Sequence, residues 1–324
     1  MNILFCSAGK HGQLIRDIKL SLGKDSRVIT TSNSNMVPSL YFADNYYIVP
    51  DITNKNYLDI IIDICKKENI NAITTMLDVE TVLLARNRRL FETLGIEVLT
   101  PYLATAKICL DKYLMYKFLL KKNINTMKTF CDFKHFERAY SNHEISFPVF
   151  IKPRFGRGSE GARIVNDYEE LKTVCENEDN ILIQEYIDGV DIDVDVYVDT
   201  ISHNAVSMFA KKKLKKGLGG ASQTVSFKDK ELFAFVGDFV KKLKFNGPID
   251  IDLFYKDGRY YLTEVNPRFG AAYLHAFRCG LDFAKLIKNN INGIENEVLL
   301  GNYEEDIIMM FYNSALIVKN GKRV

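Results

Sequence analysis

Glu264 and Asn266 stand two apart in the run Tyr260, Tyr261, Leu262, Thr263, Glu264, Val265, Asn266, Pro267, Arg268. On a strand, residues two apart share a face. Pro267 ends the ladder, and Arg268 is left at the strand exit. A carboxylate, an amide oxygen and a guanidinium at one strand end suit a hard, oxygen-ligated cation and the phosphates it bridges. A partner lies upstream in Asp252, where aspartates alternate with Ile249, Ile251 and Leu253, giving one apolar and one carboxylate-bearing face. Lys256, Asp257 and Gly258 between the runs signal a hairpin. Loop parity then decides the site. An odd loop, such as a three-residue turn with a glycine bulge, puts Asp252 and Glu264 on one face. A two-residue turn at Asp257 and Gly258 puts them on opposite faces and removes the metal site. The rival reading is a solvated face on an edge hairpin; three oxygen ligands followed by arginine favour the site.

A second constellation starts at Val149, Phe150, Ile151 and Lys152. This strand ends in a lysine on the face opposite Val149 and Ile151, then runs through Pro153 into Gly156, Arg157, Gly158, Ser159, Glu160 and Gly161. Glycines let successive backbone N–H groups converge on an anion, and the adjacent lysine adds charge. The rival is a hairpin loop with a surface lysine, and the Walker A ending is missing. Gln184, Glu185, Tyr186 and Ile187 leave a strand for a turn at Asp188 and Gly189. Beyond it, Asp191, Asp193, Asp195, Tyr197 and Asp199 alternate with Ile192, Val194, Val196 and Val198. That alternation reads as a half-buried strand with a polar face, and Asp193 and Asp199 as members of that face only.

The elements that must position these residues follow from periodicity. Apolar or β-branched runs at 3–6, 27–30, 45–49 and 71–75 alternate with helical spacing at 14–22, 57–68 and 80–94, which argues a small doubly wound sheet. Gly9 and Gly12 fall short of the dinucleotide fingerprint. Ligands of such folds gather at the carboxyl ends of strands, so residues 7–12 and 76–80 are expected substrate contacts. Pro101 marks a change of unit, followed by a long amphipathic helix over 105–122. Strands are expected at 147–152, 181–186, 191–199, 249–255 and 260–265, and helices at 168–176 and 230–243.

At 324 residues, two or three α/β units are expected. A net charge of +2 gives no bulk attraction to nucleic acid or membrane. The basic run Lys211, Lys212, Lys213, Leu214, Lys215, Lys216 has no interleaved aromatics, which argues against nucleic acid. The six cysteines show no metal-ligand spacing and read as thiols of a reducing compartment. With no signal sequence or membrane-length apolar run, the expected location is the cytoplasm.

Together, Asp111 with Lys112, Phe150 to Pro153 with its glycine loop, Gln184 to Ile187, and Glu264 to Arg268 resemble the ATP-grasp superfamily in order and approximate spacing. The chain is similar to the carbamoyl-phosphate synthase large-subunit group, with one ATP-grasp unit after a pre-ATP-grasp domain. The resemblance implies a Rossmann-like α/β domain over 1–100, an N-terminal ATP-grasp lobe over 101–183 and a C-terminal lobe with the metal site over 184–324. It implies that Lys112 and Lys152 contact ATP phosphates and that the loop 156–161, with Gly156, Arg157, Gly158 and Ser159, closes over them. Gln184, Glu185, Tyr186 and Ile187 would read adenine, and Asp191 the ribose. Asp252, Glu264 and Asn266 would hold two Mg²⁺ ions, with Mn²⁺ a substitute. Lys152 and Arg268 would serve catalysis, with Arg268 stabilising the transferring phosphoryl group. Lys213 would be an active-site cation, its rival a solvated basic strand and loop. Departures are Asp191 where many members carry Glu, Asp252 where carbamoyl-phosphate synthases tend to carry Gln or Glu, and lysines where relatives are Arg-rich.

The implied chemistry is phosphoryl transfer from ATP to a carboxylate, then attack of an amine on the acyl phosphate. Its partners are a small carboxylic acid and an amine, with a homodimer through the N-terminal domain by analogy. His11 and His275 are the histidines considered as general base, although a lone histidine is usually structural. The alternatives are a carboxyphosphate- or carbamoyl-phosphate-type synthase component and an ATP-binding module without turnover. A Rossmann oxidoreductase ranks last.

Overall fold

The computed structural model describes residues 1–156, 161–217, 220–312, 314–319 and 321–323. The N-terminal part comprises β1 (Asn2–Cys6), α1 (Gly12–Leu22), β2 (Arg27–Ser32), β3 (Asn45–Ile48), α2 (Tyr57–Lys67), β4 (Ala72–Thr75), α3 (Asp78–Arg86), α4 (Arg88–Thr93) and β5 (Glu97–Val98). Its five strands are parallel in the order β3-β2-β1-β4-β5. Both faces are covered, which is why β1 is apolar without alternation. Ile3 and Phe5 pack with Leu14 and Ile18 of α1, while Leu4 and Cys6 pack with Ile61 of α2 and Leu84 of α3. The fold class is therefore the α/β arrangement expected.

Two helices expected as single rods are broken. The stretch 80–94 divides at Asn87 into α3 and α4. The stretch 105–122 divides into α5 (Leu103–Leu110) and α6 (Lys112–Lys121) at Asp111, whose backbone is extended. Its carboxylate accepts from the N–H groups of Tyr113 and Leu114, so Asp111 caps α6. An unbroken apolar stripe hides this break, because the cap falls inside it.

A small antiparallel lobe follows: β6 (Thr129–Phe130), α7 (Phe133–Ser141), β7 (Val149–Pro153), β8 (Arg163–Val165), α8 (Tyr168–Asn177) and β9 (Ile181–Glu185), with sheet order β6-β9-β7-β8. Phe136, Val149, Ile151, Leu171 and Ile183 form its core. The larger lobe contains β10 (Val190–Val198), β11 (Ala205–Gly217), β12 (Gly220–Phe227), α9 (Lys230–Val240), β13 (Gly247–Lys256), β14 (Arg259–Asn266), α10 (Tyr273–Arg278), α11 (Phe283–Ile291) and β15 (Ile308–Met310). Its antiparallel sheet runs β14-β13-β10-β11-β12-β15. Ile192, Val194, Val196, Ile249, Ile251 and Leu253 share a core with Leu232, Val236 and Phe239 of α9. No described helix is long and apolar enough to cross a membrane, and all six cysteines are free.

The half-buried reading of β10 is corrected: Asp193, Asp195 and Asp199 are 5%, 1% and 0% exposed. Asp199 is a structural hub. Its Oδ1 accepts from the N–H groups of Ile201 and Ser202, each at 2.9 Å. Its Oδ2 accepts from the Asn290 amide at 2.7 Å and the Asn296 amide at 2.8 Å. Although burial opposes the charge, those donors hold the carboxyl down at about 2. An unfolded aspartate titrates near ~3.9, so the stabilisation is full above that value and lost as pH falls through about 2. Denaturant titrations at pH 7 and pH 3 should show Asp199→Asn less stable at pH 7 by roughly 2 kcal/mol, with a flatter acid limb than the parent.

Candidate active site

The β13–β14 hairpin closes through a two-residue turn, with Asp257 at φ 50° and Gly258 at φ 77° and Lys256 opposite Arg259. Parity at the turn alone would separate Asp252 from Glu264. The register then shifts by one residue: Leu253 faces Leu262, whereas Asp252 faces Glu264 and Asp250 faces Asn266. Thr263 is the extra residue, a β-bulge, and its hydroxyl donates to the Asp252 carbonyl at 3.1 Å. The expectation that a two-residue turn removes the site is thus overturned, because register is the sum of turn and bulge.

The same pairings extend the polar face across four strands. Glu264, Asp252, Asp193 and Lys211 lie side by side, and Asn266, Asp250 and Asp195 form the adjacent row. Lys211 is fully buried, its Nζ 3.0 Å from Asp193 Oδ1 and paired also with Asp195. Lys213 Nζ lies 3.2 Å from Asp191 Oδ1 and pairs with Asp252. The solvated reading of this segment therefore fails at both alternate lysines. Burial pushes Asp195 up to about 6. Burial and the neighbouring Asp193 push Asp250 well above the carboxylate range. Asp195 Oδ1 and Asp250 Oδ1 are buried without a hydrogen-bond donor among the described residues. Gly270 permits this packing, since a Cβ there would meet those two oxygens at 2.6 and 2.8 Å.

The small lobe supplies cations to the same space. Lys152 is buried, which lowers its pKa against the pull of Glu264. Lys112 Nζ donates to the Gly156 carbonyl at 2.9 Å and lies 3.4 Å from Glu264 Oε1. Asp111 grips Arg154 through two bonds of 2.8 and 2.6 Å, fixing the strand that leads into the glycine loop. The buried Gln184 donates to Thr129 Oγ1 at 2.8 Å. Arg268 is held by Asp78, the first residue of α3, at 2.8 Å; burial opposes its charge, but Asp78 and Asp250 keep its pKa raised.

A cavity of about 660 Å³ lies between the lobes. Lys112, Lys152, Gly156, Gln184, Glu185, Tyr186, Ile187, Asp191, Lys213, Asp252, Glu264, Asn266 and Arg268 all line it. Arg157, Gly158 and Ser159 fall outside the described residues. Sequence reasoning missed Asp250, Asp193 and Lys211 as members of this site. The alternation of Lys211 with Lys213 was the available signal for Lys211, needing only the register to place it beside Asp193. Of the expected 76–80 contacts, Asp78 reaches Arg268, whereas Glu80 is buried and bonded to Tyr57 and Thr75. His275 is buried with Thr224 at 2.8 Å. Burial and the nearby Arg268 lower His11 to about 4.

Asp252 and Glu264 present hard oxygens on one face, with the orphaned Asp250 Oδ1 alongside, while the Asn266 amide nitrogen donates to Asp250 and Asp252 and its Oδ1 accepts from Arg268; the carboxylate oxygens fit a Mg²⁺-like cation. Residues 109–272 match the ATP-grasp domain model, and residues 3–99 match the PylC-like N-terminal domain. The chain belongs to the ATP-grasp family. It is 24% identical over 272 residues to the carbamoyl phosphate synthase arginine-specific large chain of Bacillus subtilis, covering 76% of this chain but 24% of that one. It is 26% identical over 257 residues to a D-alanine–D-alanine ligase of Bacillus anthracis, covering 70% and 84% of the two chains. The biotin carboxylase domain of Hydrogenobacter thermophilus 2-oxoglutarate carboxylase shares the fold, with a TM-score of 0.72 at 17% identity over 95% of this chain and 73% of that one.

Two outcomes follow from the lysine pairs. Lys211→Met strands Asp193 and Asp195 and should cost ~3–5 kcal/mol in denaturant unfolding. Lys213→Met frees Asp252 and should tighten Mn²⁺ binding to nucleotide-free protein about tenfold by electron paramagnetic resonance titration; unchanged affinity would show that Lys213 and the metal do not share Asp252.

Proposed function

We propose that this chain is an ATP-dependent ligase joining a small carboxylic acid to an amine through an acyl phosphate, with release of ADP and phosphate. The observation that carries this reading is the pairing of Asp252 with Glu264 and of Asp250 with Asn266 along one wall of the cavity that Lys112, Lys152 and Arg268 also line. The D-alanine–D-alanine ligase relative supports it by name.

In this reading ATP is the substrate lying between the lobes. Gln184, Glu185, Tyr186 and Ile187 border adenine, Asp191 takes the ribose hydroxyls, and Lys112, Lys152, Lys213 and the 156–161 loop take the phosphates. Asp252, Glu264 and Asn266 would hold two Mg²⁺ ions, or Mn²⁺ in their place. Bound there, the ions supply positive charge against the β- and γ-phosphates. The acid's carboxylate oxygen attacks the γ-phosphorus as the bond to ADP breaks. Arg268 donates to the transferring group, and the amine then displaces phosphate from the acyl carbon. Lys152, kept out of water, is a stronger counter-charge than an exposed lysine. A homodimer through the N-terminal sheet domain belongs to the same proposal.

The carbamoyl phosphate synthase relative favours a second reading, in which bicarbonate takes the acid's place and carboxyphosphate forms. Phosphate release from Mg·ATP, measured against amino acids, other small carboxylates, bicarbonate and amines, separates the two. Release that rises with one acid–amine pair supports the ligase; release with bicarbonate alone supports the second reading. Glu264→Gln should cut ADP formation by at least ~100-fold, and near-normal turnover in that variant would falsify its place at the metal.

A further inference from the structure

We infer that Asp78, at the start of α3 in the N-terminal domain, is the positioning residue that aims the Arg268 guanidinium, an inference resting on Arg268 acting at the reacting group. A guanidinium has five N–H donors in a rigid plane. Nε donates to Asp78 Oδ1 at 2.8 Å, and Nη2 donates to Asp78 Oδ2 at 3.3 Å and to Asn266 Oδ1 at 3.3 Å. Nη1 donates to the Phe269 carbonyl at 3.1 Å. Among the described residues this leaves one Nη1 hydrogen for a substrate. Two acceptors on one carboxylate fix the plane as well as the position.

Asp78 is itself rigidly held. It opens α3 immediately after β4; the Met76 N–H bonds to the Cys6 carbonyl at 3.1 Å and the Leu77 N–H to Thr75 Oγ1 at 3.0 Å. Its own carbonyl accepts from Thr81 Oγ1 at 2.5 Å. Without Asp78, Asp250 and Glu264 still attract the guanidinium. Arg268 would then turn from the transferring group onto the oxygen-rich face. The N-terminal domain therefore contributes to the phosphoryl-transfer geometry by setting one arginine, as well as by walling the cleft.

Two readouts test this. In protein with nitrogen-labelled arginine, the Arg268 Nε–H resonance, assigned by its absence in Arg268→Lys, should be slow to exchange and should broaden or vanish in Asp78→Asn. An unchanged resonance overturns the inference whatever the reaction proves to be. In the second readout, Asp78→Ala and Arg268→Ala should each lower kcat for acid-dependent phosphate release by ~100-fold. The double variant should be no slower than Arg268→Ala, Asp78→Glu should recover part of the rate, and Mg·ADP affinity should stay within about threefold. Multiplying effects in the double variant, or an Asp78→Ala rate within threefold of the parent, also overturns it. A parent that binds Mg·ADP yet releases no phosphate with any acid sinks the ligase reading instead, and the resonance then decides the positioning alone.

Discussion

Asp193 and Asp195 on β10 lie opposite Asp252 and Asp250 on β13, with Glu264 one strand further on. Like charges directly opposite one another on a sheet repel, and burial raises the cost of each. The lobe can keep this face only because Lys211 and Lys213 of β11 reach across it, the first fully buried between two aspartates and the second linking Asp191 to Asp252. Where the lysines do not reach, the burden falls on protonation: Asp250 is pushed up by burial and by Asp193. Such an array is poor stabilisation compared with a well-packed apolar face. Its retention in the cleft makes sense if the carboxylates serve an incoming cation and the lysines an incoming anion.

The other contributors are arranged around that face. The bulge at Thr263 turns Glu264 and Asn266 onto it despite an even-numbered turn. The small lobe brings Lys112 and Lys152, one of them pinned to the base of the glycine loop through Gly156. Asp78 brings the N-terminal domain into the same network through Arg268. Three units thus meet at one charged surface, each supplying a different sign or geometry, and no unit alone carries a complete site.

Much of the fold was legible because its signals are local. The apolar runs of β1 and β4, the helical spacing between them and the alternation along β10 and β13 each follow from a short stretch of chain. The breaks at Asn87 and Asp111 were not; at Asp111 a cap inside a continuous apolar stripe leaves the periodicity intact. The fate of the alternating polar face was not legible either. Alternation says that two faces differ, and it is silent on what covers the second one. Asp193 and Lys211 read as solvated residues until the register set them side by side.

The sequence by itself determined the chemistry available: oxygen-bearing side chains at Asp252, Glu264 and Asn266, an arginine after a strand-ending proline, and lysines flanking a glycine loop. Residue types and short spacings suffice for that, because the side chains concerned lie within one strand or one turn. Only the tertiary structure decided which of these groups meet. The one-residue bulge reversed the parity of a hairpin, the β10–β11 register converted two alternate lysines of a basic run into counter-ions, and Asp78 found Arg268 from the far side of the chain. Those outcomes depend on pairing between distant segments, where a shift of one residue exchanges one face of a strand for the other.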